Sequence, residues 1–311
     1  MKIIGAGLAG LLSAHMLPEA EVHEASPELK RGHFAVLRHR SNNISAATGV
    51  PFKEIKVVKS IWKAKNNVWQ GRHAKPDIQL CNLYARKVAG VVCDRSIWTA
   101  DGVSKRWLAP DNFINKMAGP IMDRIQFDSE VDDDFFKRQD EPIISTMPLP
   151  VLAKILGIKM PNIKNDSTPI IVKRFKVPAS NVYQTVYFPD PNNPVYRATL
   201  HEDLLIVEGV KRKAVDYDWR DWVAPAFGLF EKEMLQVGVH EQKYGKITPM
   251  DDDFRKSFIL HATMKYNIWS LGRFATWRNI LLDDVHDDVL KIKEMMSQHK
   301  YDIRLGGLNE S

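Results

Sequence analysis

Residues 2–10 read KIIGAGLAG, and this stretch decides how the first part of the chain folds. A short apolar run at residues 2–4 leads into a GxGxxG pattern and then into a helical run that stops at Pro18. A second short apolar segment ends at Glu24. Strand, glycine turn, helix, strand and acid follow one another in the order typical of α/β domains that bind dinucleotides.

Each position of this pattern has a physical task in such a site. Gly5 permits a tight turn, Gly7 lets backbone N–H groups approach a pyrophosphate, and Gly10 lets the helix pack close to the strand. The N-terminus of the helix adds partial positive charge. Glu24 would accept hydrogen bonds from ribose hydroxyls and would repel a 2′-phosphate, which favours FAD or NAD over NADP. The predicted cofactor-binding residues are Gly5, Ala6, Gly7, Leu8, Ala9, Gly10 and Glu24.

Composition narrows the class of protein. The chain has 311 residues, of which 44% are hydrophobic and 26% charged, so it can bury a sizeable core. Its two cysteines, Cys81 and Cys93, exclude a disulfide scaffold and a cysteine-rich zinc site. The apolar start resembles a secretory signal, but a signal peptide needs neither the spaced glycines nor the acid at Glu24. We expect a soluble, cytoplasmic protein.

A second motif lies near the other end of the chain. Residues 271–278, LGRFATWR, precede LLDDV at 281–285, where a helical pattern begins. This arrangement resembles the closing motif of the FAD-dependent oxidoreductase superfamily that includes UDP-galactopyranose mutase, protoporphyrinogen oxidase and the monoamine oxidases. The resemblance implies FAD as the cofactor, with Gly272, Arg273 and Asp283 beside it. The alternative is that these residues are only an arginine-bearing loop before a helix with an ordinary acidic first turn.

A third match lies in the middle of the chain. Residues 140–150, DEPIISTMPLP, resemble the strand that returns to the nucleotide domain in that superfamily and leads into a helix. Residues 170–172 and 182–188 read as strands. Residues 187–190, YFPD, followed by VYR at 195–197, are similar to the substrate-domain sheet of its mutase-like members. The resemblance implies an α/β fold, a Rossmann-like FAD-binding domain with an inserted α+β substrate domain. We place the FAD-binding domain at 1–150 and 245–300, the substrate domain at 151–244, and a loose tail at 301–311.

Further site candidates follow the Glu24 segment, where residues 31–41 read RGHFAVLRHRS. In a strand, Arg38 and Arg40 would share one face, and paired guanidiniums suit a phosphate or a carboxylate. A solvated basic strand is the alternative. The resemblance implies that the region around His33 approaches the flavin. The predicted catalytic residues are Arg38, Arg273 and His33, and the predicted substrate-binding residues are Arg38, Arg40 and Tyr244.

The net charge of +6 suits an anionic small molecule or a nucleotide as the substrate. Residues 53–65 interleave lysines with apolar and aromatic side chains, which would let bases stack beside phosphate contacts. An edge strand with outward lysines explains the same pattern. We therefore leave nucleic acid open as a partner, expect no membrane partner, and leave the oligomeric state open.

The sequence shows no Ser-His-Asp signature and no cluster with metal-ligand spacing, which disfavours a hydrolase and a metalloenzyme. Our main hypothesis is an FAD-dependent oxidoreductase, amine-oxidase-like, that takes a hydride from a carbon–nitrogen bond of an anionic substrate, which could be linked to nucleic acid. One alternative is an enzyme like UDP-galactopyranose mutase, using reduced flavin as a nucleophile on a nucleotide sugar. Another is a non-catalytic FAD-binding protein.

Overall fold

The structure is a computed structural model, and it describes residues 1–29, 36–64, 71–93, 97–137, 141–160, 168–211 and 218–306. The side chains of residues 243, 244 and 299–306 lie outside this description. The strands form two sheets with different connectivity. Across the described residues, no helix combines the length and the apolar character needed to cross a membrane.

The first sheet has five parallel strands, in the spatial order Ile268–Ser270 (β14), Ile143–Ser145 (β8), Lys2–Ile4 (β1), Glu21–His23 (β2) and Ile125–Gln126 (β7). After β1, the chain adds β2 and β7 on one side of it and then β8 and β14 on the other side. The strand order therefore reverses between β1 and β8. Open α/β sheets bind their ligands at such a switch point. This arrangement confirms the predicted α/β class.

Helices cover both faces of the first sheet. Since successive side chains of a strand point to opposite faces, consecutive residues of β1 lie in two different cores. Ile3 packs with four helices: Leu8–Met16 (α1), Asn43–Thr48 (α2), Phe113–Ala118 (α4) and Leu282–Gly306 (α9). Ile4 packs on the other face with three more: Asp133–Lys137 (α5), Leu149–Ile155 (α6) and Asp252–Tyr266 (α8). The predicted helix after residue 150 corresponds to α6.

The second sheet has nine strands. Eight lie in the spatial order Leu235–Lys246 (β13), Thr168–Lys176 (β9), Leu204–Val210 (β12), Val195–His201 (β11), Tyr183–Tyr187 (β10), Lys53–Lys63 (β4), Gly102–Leu108 (β6) and Arg38–His39 (β3), and Arg72–Ala74 (β5) pairs with β4. Among the described strands of this sheet, only β4 and β10 pair in parallel. Helix Ile78–Ala89 (α3) packs on one face of the sheet and helix Arg220–Phe227 (α7) on the other.

This second sheet is strongly curled. Arg38 lies on β3, yet its guanidinium donates to the Thr185 hydroxyl on β10 (3.2 Å) and to the Leu200 carbonyl on β11 (2.8 Å). In the strand order, β6, β4 and β10 separate β3 from β11. Neighbouring strands are about 4.8 Å apart, so in a flat sheet this distance would exceed the reach of any side chain. The sheet must therefore bend until β3 lies across from β11.

The second sheet takes strands from both sides of residue 150, since β3, β4, β5 and β6 join it. The domain limits at 150 and 245 remain a prediction. The division of the strands between the two sheets does not coincide with these limits. Helix α9 continues to Gly306, so the backbone of residues 301–306, which we placed in a loose tail, is helical.

The lysine-rich segment at 53–65 is not an edge strand, and that expectation was wrong. Within it, β4 pairs with β10 on one side and with β6 and β5 on the other. Its lysines alternate between faces: Lys56 is exposed, whereas Lys59 is half-buried on the opposite face. Residue 65 lies outside the described residues.

Candidate functional site

The glycine loop follows β1 at the switch point of the parallel sheet. Gly5 has φ +95°, and a Cβ there would lie 2.5 Å from the Thr146 hydroxyl, just beyond β8. A Cβ on Gly10 would overlap the carbonyl oxygen of Gly5, so α1 packs against the turn as closely as glycine allows. Above Gly7 the space is open, because a Cβ there would meet no atom within 4 Å.

The N-terminus of α1 is available to an anion. Gly7 is its N-cap, no side chain caps it, and the first turn carries no acidic residue. Backbone N–H groups at such a terminus are unsatisfied by the helix itself and carry partial positive charge. Together with the open space at Gly7, this geometry fits a pyrophosphate approaching the loop.

Glu24 lies beside the glycine loop, immediately after β2. Its carboxylate accepts hydrogen bonds from the Ala6 N–H (2.8 Å) and from the Ser26 N–H (2.9 Å). A carboxylate has about four lone-pair positions, so two bonds leave capacity for ribose hydroxyls. The structure thus brings Glu24 to the loop, while its role toward a ribose stays a prediction.

The second motif contacts the first. Gly272, in the loop after β14, has φ +91°, and a Cβ there would lie 2.9 Å from the Cβ of Ala9 on α1. The next residue, Arg273, holds its guanidinium 5.8 Å from the ring centre of Phe274. Trp277, in the same loop, has φ +47°, a strained conformation for a bulky side chain. Two segments from opposite ends of the chain therefore contact each other, and one of them is a strained loop.

Asp283 is buried in the first turn of α9, where it binds the chain's own backbone. One carboxylate oxygen accepts from the N–H groups of Arg40 (2.8 Å) and Ser41 (3.2 Å), and the other lies 3.4 Å from Nδ1 of His39. Burial alone would raise the pKa of Asp283, but His39 and the two N–H groups lower it below its ordinary value. Asp283 therefore anchors the segment after β3, and its proposed contact with FAD stays a prediction.

The structure separates Arg38 from Arg40, so the expected shared face was wrong. Strand β3 ends at His39, and alternation therefore does not continue to Arg40. Arg38 extends into the curl of the second sheet, whereas Arg40 is exposed and forms an ion pair with Asp284 on α9. Burial and the nearby charge of Arg197 lower the pKa of Arg38 to about 10.

Two further candidates remain predictions. His33 lies outside the described residues. Tyr244 lies within β13, at the edge of the second sheet, and its side chain is not described. Strand β13 ends at Lys246, and the next residue, Ile247, packs with Ile4 in the core of the first sheet.

Sequence reasoning missed a buried ion pair inside the second sheet. The guanidinium of Arg197 binds both carboxylate oxygens of Glu208, which also accepts from the Tyr196 hydroxyl at 3.0 Å. Burial would raise the pKa of Glu208, but the charge of Arg197 outweighs it and lowers that pKa. The only signal in the sequence was one glutamate in an otherwise apolar strand at 204–210.

It also missed a group of cations on the same face. The alternation of strand residues places Lys59, Arg106, Thr185 and Arg197 together, and we call this side of the sheet the charged face. Burial and the charges of Arg106 and Arg38 lower the pKa of Lys59 to about 8. Among the residues described, no group of three His, Cys, Asp or Glu side chains is arranged to hold a metal ion.

No protein-family model matches the chain, and no curated protein matches it in sequence. Solved structures do match its fold. Reduced UDP-galactopyranose mutase matches with a TM-score of 0.63 at 16% identity, covering 96% of this chain and 93% of that chain. A structural-genomics protein from Pyrococcus furiosus matches with a TM-score of 0.57 at 13% identity, covering 94% and 96%.

A candidate FAD-containing monooxygenase from Photorhabdus luminescens subsp. laumondii TTO1 gives a TM-score of 0.50 at 10% identity, covering 96% of this chain and 88% of that chain. At identities this low the likeness concerns the fold. The chain therefore shares the fold of a UDP-galactopyranose mutase along nearly its whole length.

Proposed function

We propose that this chain is an FAD-dependent oxidoreductase of the amine-oxidase-like class. The proposal of FAD as the cofactor rests on the glycine loop. The loop combines an uncapped helix N-terminus, open space at Gly7, and Glu24 at hydrogen-bonding distance. Gly272, contacting α1 from the other end of the chain, supports the same cofactor. When bound, FAD would supply the acceptor for a hydride from a carbon–nitrogen bond of an anionic substrate.

The chain's own residues would then bind and orient the cofactor and the substrate. The backbone N–H groups of the loop would hold the pyrophosphate, and Glu24 would hold the adenosine ribose. Arg38, which extends into the curled sheet, would attract the anionic end of the substrate, with Arg273 beside the cofactor loop. A soluble cytoplasmic enzyme acting on a small anionic or nucleic-acid-linked substrate remains part of this proposal.

The first test is the visible absorption spectrum of the purified protein, with the released cofactor identified by mass. We expect bound FAD, and then oxygen consumption with an anionic amine from a substrate panel. Arg38→Ala should raise KM while FAD stays bound, because a charge-assisted contact to the substrate is lost. A colourless protein that takes up no added FAD would contradict the proposal.

The likeness to UDP-galactopyranose mutase favours a second candidate, a redox-neutral reaction on a nucleotide sugar. This enzyme would be active only after reduction and would turn over without consuming oxygen. An oxygen electrode separates the two candidates. A protein that binds FAD tightly and reacts with neither substrate panel would instead be a non-catalytic flavin-binding protein.

A further inference from the structure

Among the residues that the structure describes, the charged face of the second sheet carries more positive charge than acidic side chains neutralise. Lys59 on β4 and Arg106 on β6 are both half-buried there, and each interacts electrostatically with the other. Arg38 reaches the same region, since it bonds to Thr185, the cross-strand neighbour of Lys59. Three cations from three strands therefore meet on the inside of the curl.

The acidic side chains of this face are already used. Glu208 is buried against Arg197 and Tyr196, so its charge is matched by Arg197. Glu202, beyond the end of β11, binds Lys53 and the Tyr183 hydroxyl. Within the described ranges, none of Arg38, Lys59 and Arg106 forms an ion pair with a carboxylate.

Several hydrogen-bond donors on the charged face also lack partners. In the part of the chain that the structure describes, four buried side-chain atoms of this face have no hydrogen bond: Nε of Arg38, Oγ of Ser104, Nε of Arg174 and Nδ1 of His201. Buried polar groups in folded proteins are nearly always hydrogen-bonded. The unused donors of Arg38 and Ser104, which lie among the unneutralised cations, indicate a place built for an anionic ligand.

The energetics lead to the same conclusion. Partly buried charges of one sign destabilise the folded chain, because desolvation and mutual repulsion both disfavour the charged forms. Burial and the charges of Arg106 and Arg38 lower the pKa of Lys59 to about 8, and burial and the charge of Arg197 lower that of Arg38 to about 10. Such a cluster costs stability in the free protein, and a bound anion would relieve that cost.

We propose that the charged face binds a phosphoryl group, a phosphate ester or a diphosphate, through Arg38, Lys59 and Arg106. A carboxylate brings one negative charge, whereas a phosphoryl group concentrates about two charges and three acceptor oxygens at one point. That concentration matches three cations that converge from separate strands. This inference names the substrate class of the proposed enzyme and rests on that function.

The test is a calorimetric titration of the FAD-saturated protein with inorganic pyrophosphate, with succinate in a parallel titration. Saturation with FAD keeps pyrophosphate from the glycine loop. Lys59→Met and Arg106→Met should each weaken pyrophosphate binding by at least about tenfold, since each removes a charge-assisted contact. Lys56→Met is the matched control, because Lys56 is exposed on the opposite face of β4; its affinity should stay within about twofold.

A second readout separates ligand binding from a structural role. Lys59→Met should raise the melting temperature of the ligand-free protein, because it removes an unneutralised charge, whereas loss of a structural contact would lower it. Equal pyrophosphate affinities in wild type, Lys59→Met and Arg106→Met would overturn the inference. Succinate binding as tightly as pyrophosphate would overturn the phosphoryl assignment.

Flavin binding is measured separately by absorbance, so the two proposals can fail independently. FAD uptake without pyrophosphate binding contradicts this inference alone. If no FAD is taken up, the same titration is run on the Gly7→Ala variant. Pyrophosphate affinity that then depends on Lys59 but not on Gly7 would retain the charged-face site and reject the flavoenzyme.

Discussion

The two sheets would meet a negatively charged ligand with different chemistry. Beside the parallel sheet, the groups available are backbone N–H donors at the start of α1, and the space for a ligand exists because Gly7 has no side chain. Inside the curled sheet, the groups are full charges on Lys59 and Arg106. The first site is therefore sensitive to an added methyl group, and the second to a removed charge.

The largest effect is expected where a charge is removed from the curled sheet. Glu208→Gln should lower the free energy of unfolding by about 4 kcal/mol, because it leaves the partly buried Arg197 without its counter-charge. Urea denaturation measures this change. Glu202→Gln, which breaks a more exposed pair with Lys53, is the control and should cost less than about 1 kcal/mol.

The same pair predicts a pH dependence. Since the pKa of Glu208 is lowered in the folded state, its stabilisation is complete above the ordinary value of 4.5 and is lost as the pH falls through the lower folded-state pKa. The stability difference between wild type and Glu208→Gln should therefore shrink on acidification. A difference that grows at low pH would show that the carboxylate is not the stabilising form.

The glycine loop offers a matched pair of added methyl groups. Gly10→Ala should lower the free energy of unfolding of the FAD-free protein by about 3 kcal/mol, since its Cβ overlaps the Gly5 carbonyl. Gly7→Ala should leave that free energy within about 0.5 kcal/mol, because nothing lies within 4 Å of its Cβ, yet weaken FAD about tenfold. Equal FAD affinities in Gly7→Ala and wild type would show that no ligand approaches there.

Lys59 predicts how phosphoryl binding changes with pH. The groups facing it are Arg38 on β3, Arg106 on β6, and Thr185 and Tyr187 on β10, and burial raises the pKa of Tyr187 above 10. Because only protonated Lys59 attracts the anion, affinity should fall by up to about tenfold per pH unit above pH 8. The ionisation of the phosphoryl ligand, at about pH 6, is common to wild type and Lys59→Met and cancels when the two are compared. Lys59→Met should lack this fall between pH 8 and 9.

The smallest effect is expected at Arg40, whose exposed side chain pairs with Asp284 on α9 instead of extending into the curled sheet. Its guanidinium is 47% exposed and pairs with Asp284, so Arg40→Ala should cost less than about 1 kcal/mol in stability. Substrate KM and pyrophosphate affinity should also stay unchanged, in contrast to Arg38→Ala. A clear rise in KM for Arg40→Ala would instead indicate that Arg40 contacts the substrate, as predicted from the sequence.

Much of the parallel sheet could be predicted because its signals are local. The turn at Gly5, the close packing at Gly10 and the acid at Glu24 lie within one short segment, and each has a single steric or hydrogen-bonding reason. Gly272 was recognised in the same way, from a local motif. Its contact with Ala9 could not be predicted, because nothing in the spacing joins the two ends of a chain.

The curled sheet could not be predicted to the same depth, because its site depends on register. Lys59 faces the charged interior only because β4 pairs with β10 so that Lys59 lies opposite Thr185; a shift by one residue would send it to the other face. Likewise, the side chains of Arg38 and Arg40 lie in different places because β3 ends at His39. A single sequence contains the alternation but neither the partner strand nor the end of the pairing.

The parallel pairing of β4 with β10 also sets the order in which the molecule can be completed. Val58 and Gln184 are partners although more than a third of the chain separates them, so β4 is synthesised long before the strand that covers its edge. Non-local pairing of this kind slows folding, and uncovered strand edges promote association between chains. The sheet that collects the charges can thus be completed only after residue 184 has been made, and the lysines on both faces of β4 would help to keep the unfinished strand soluble.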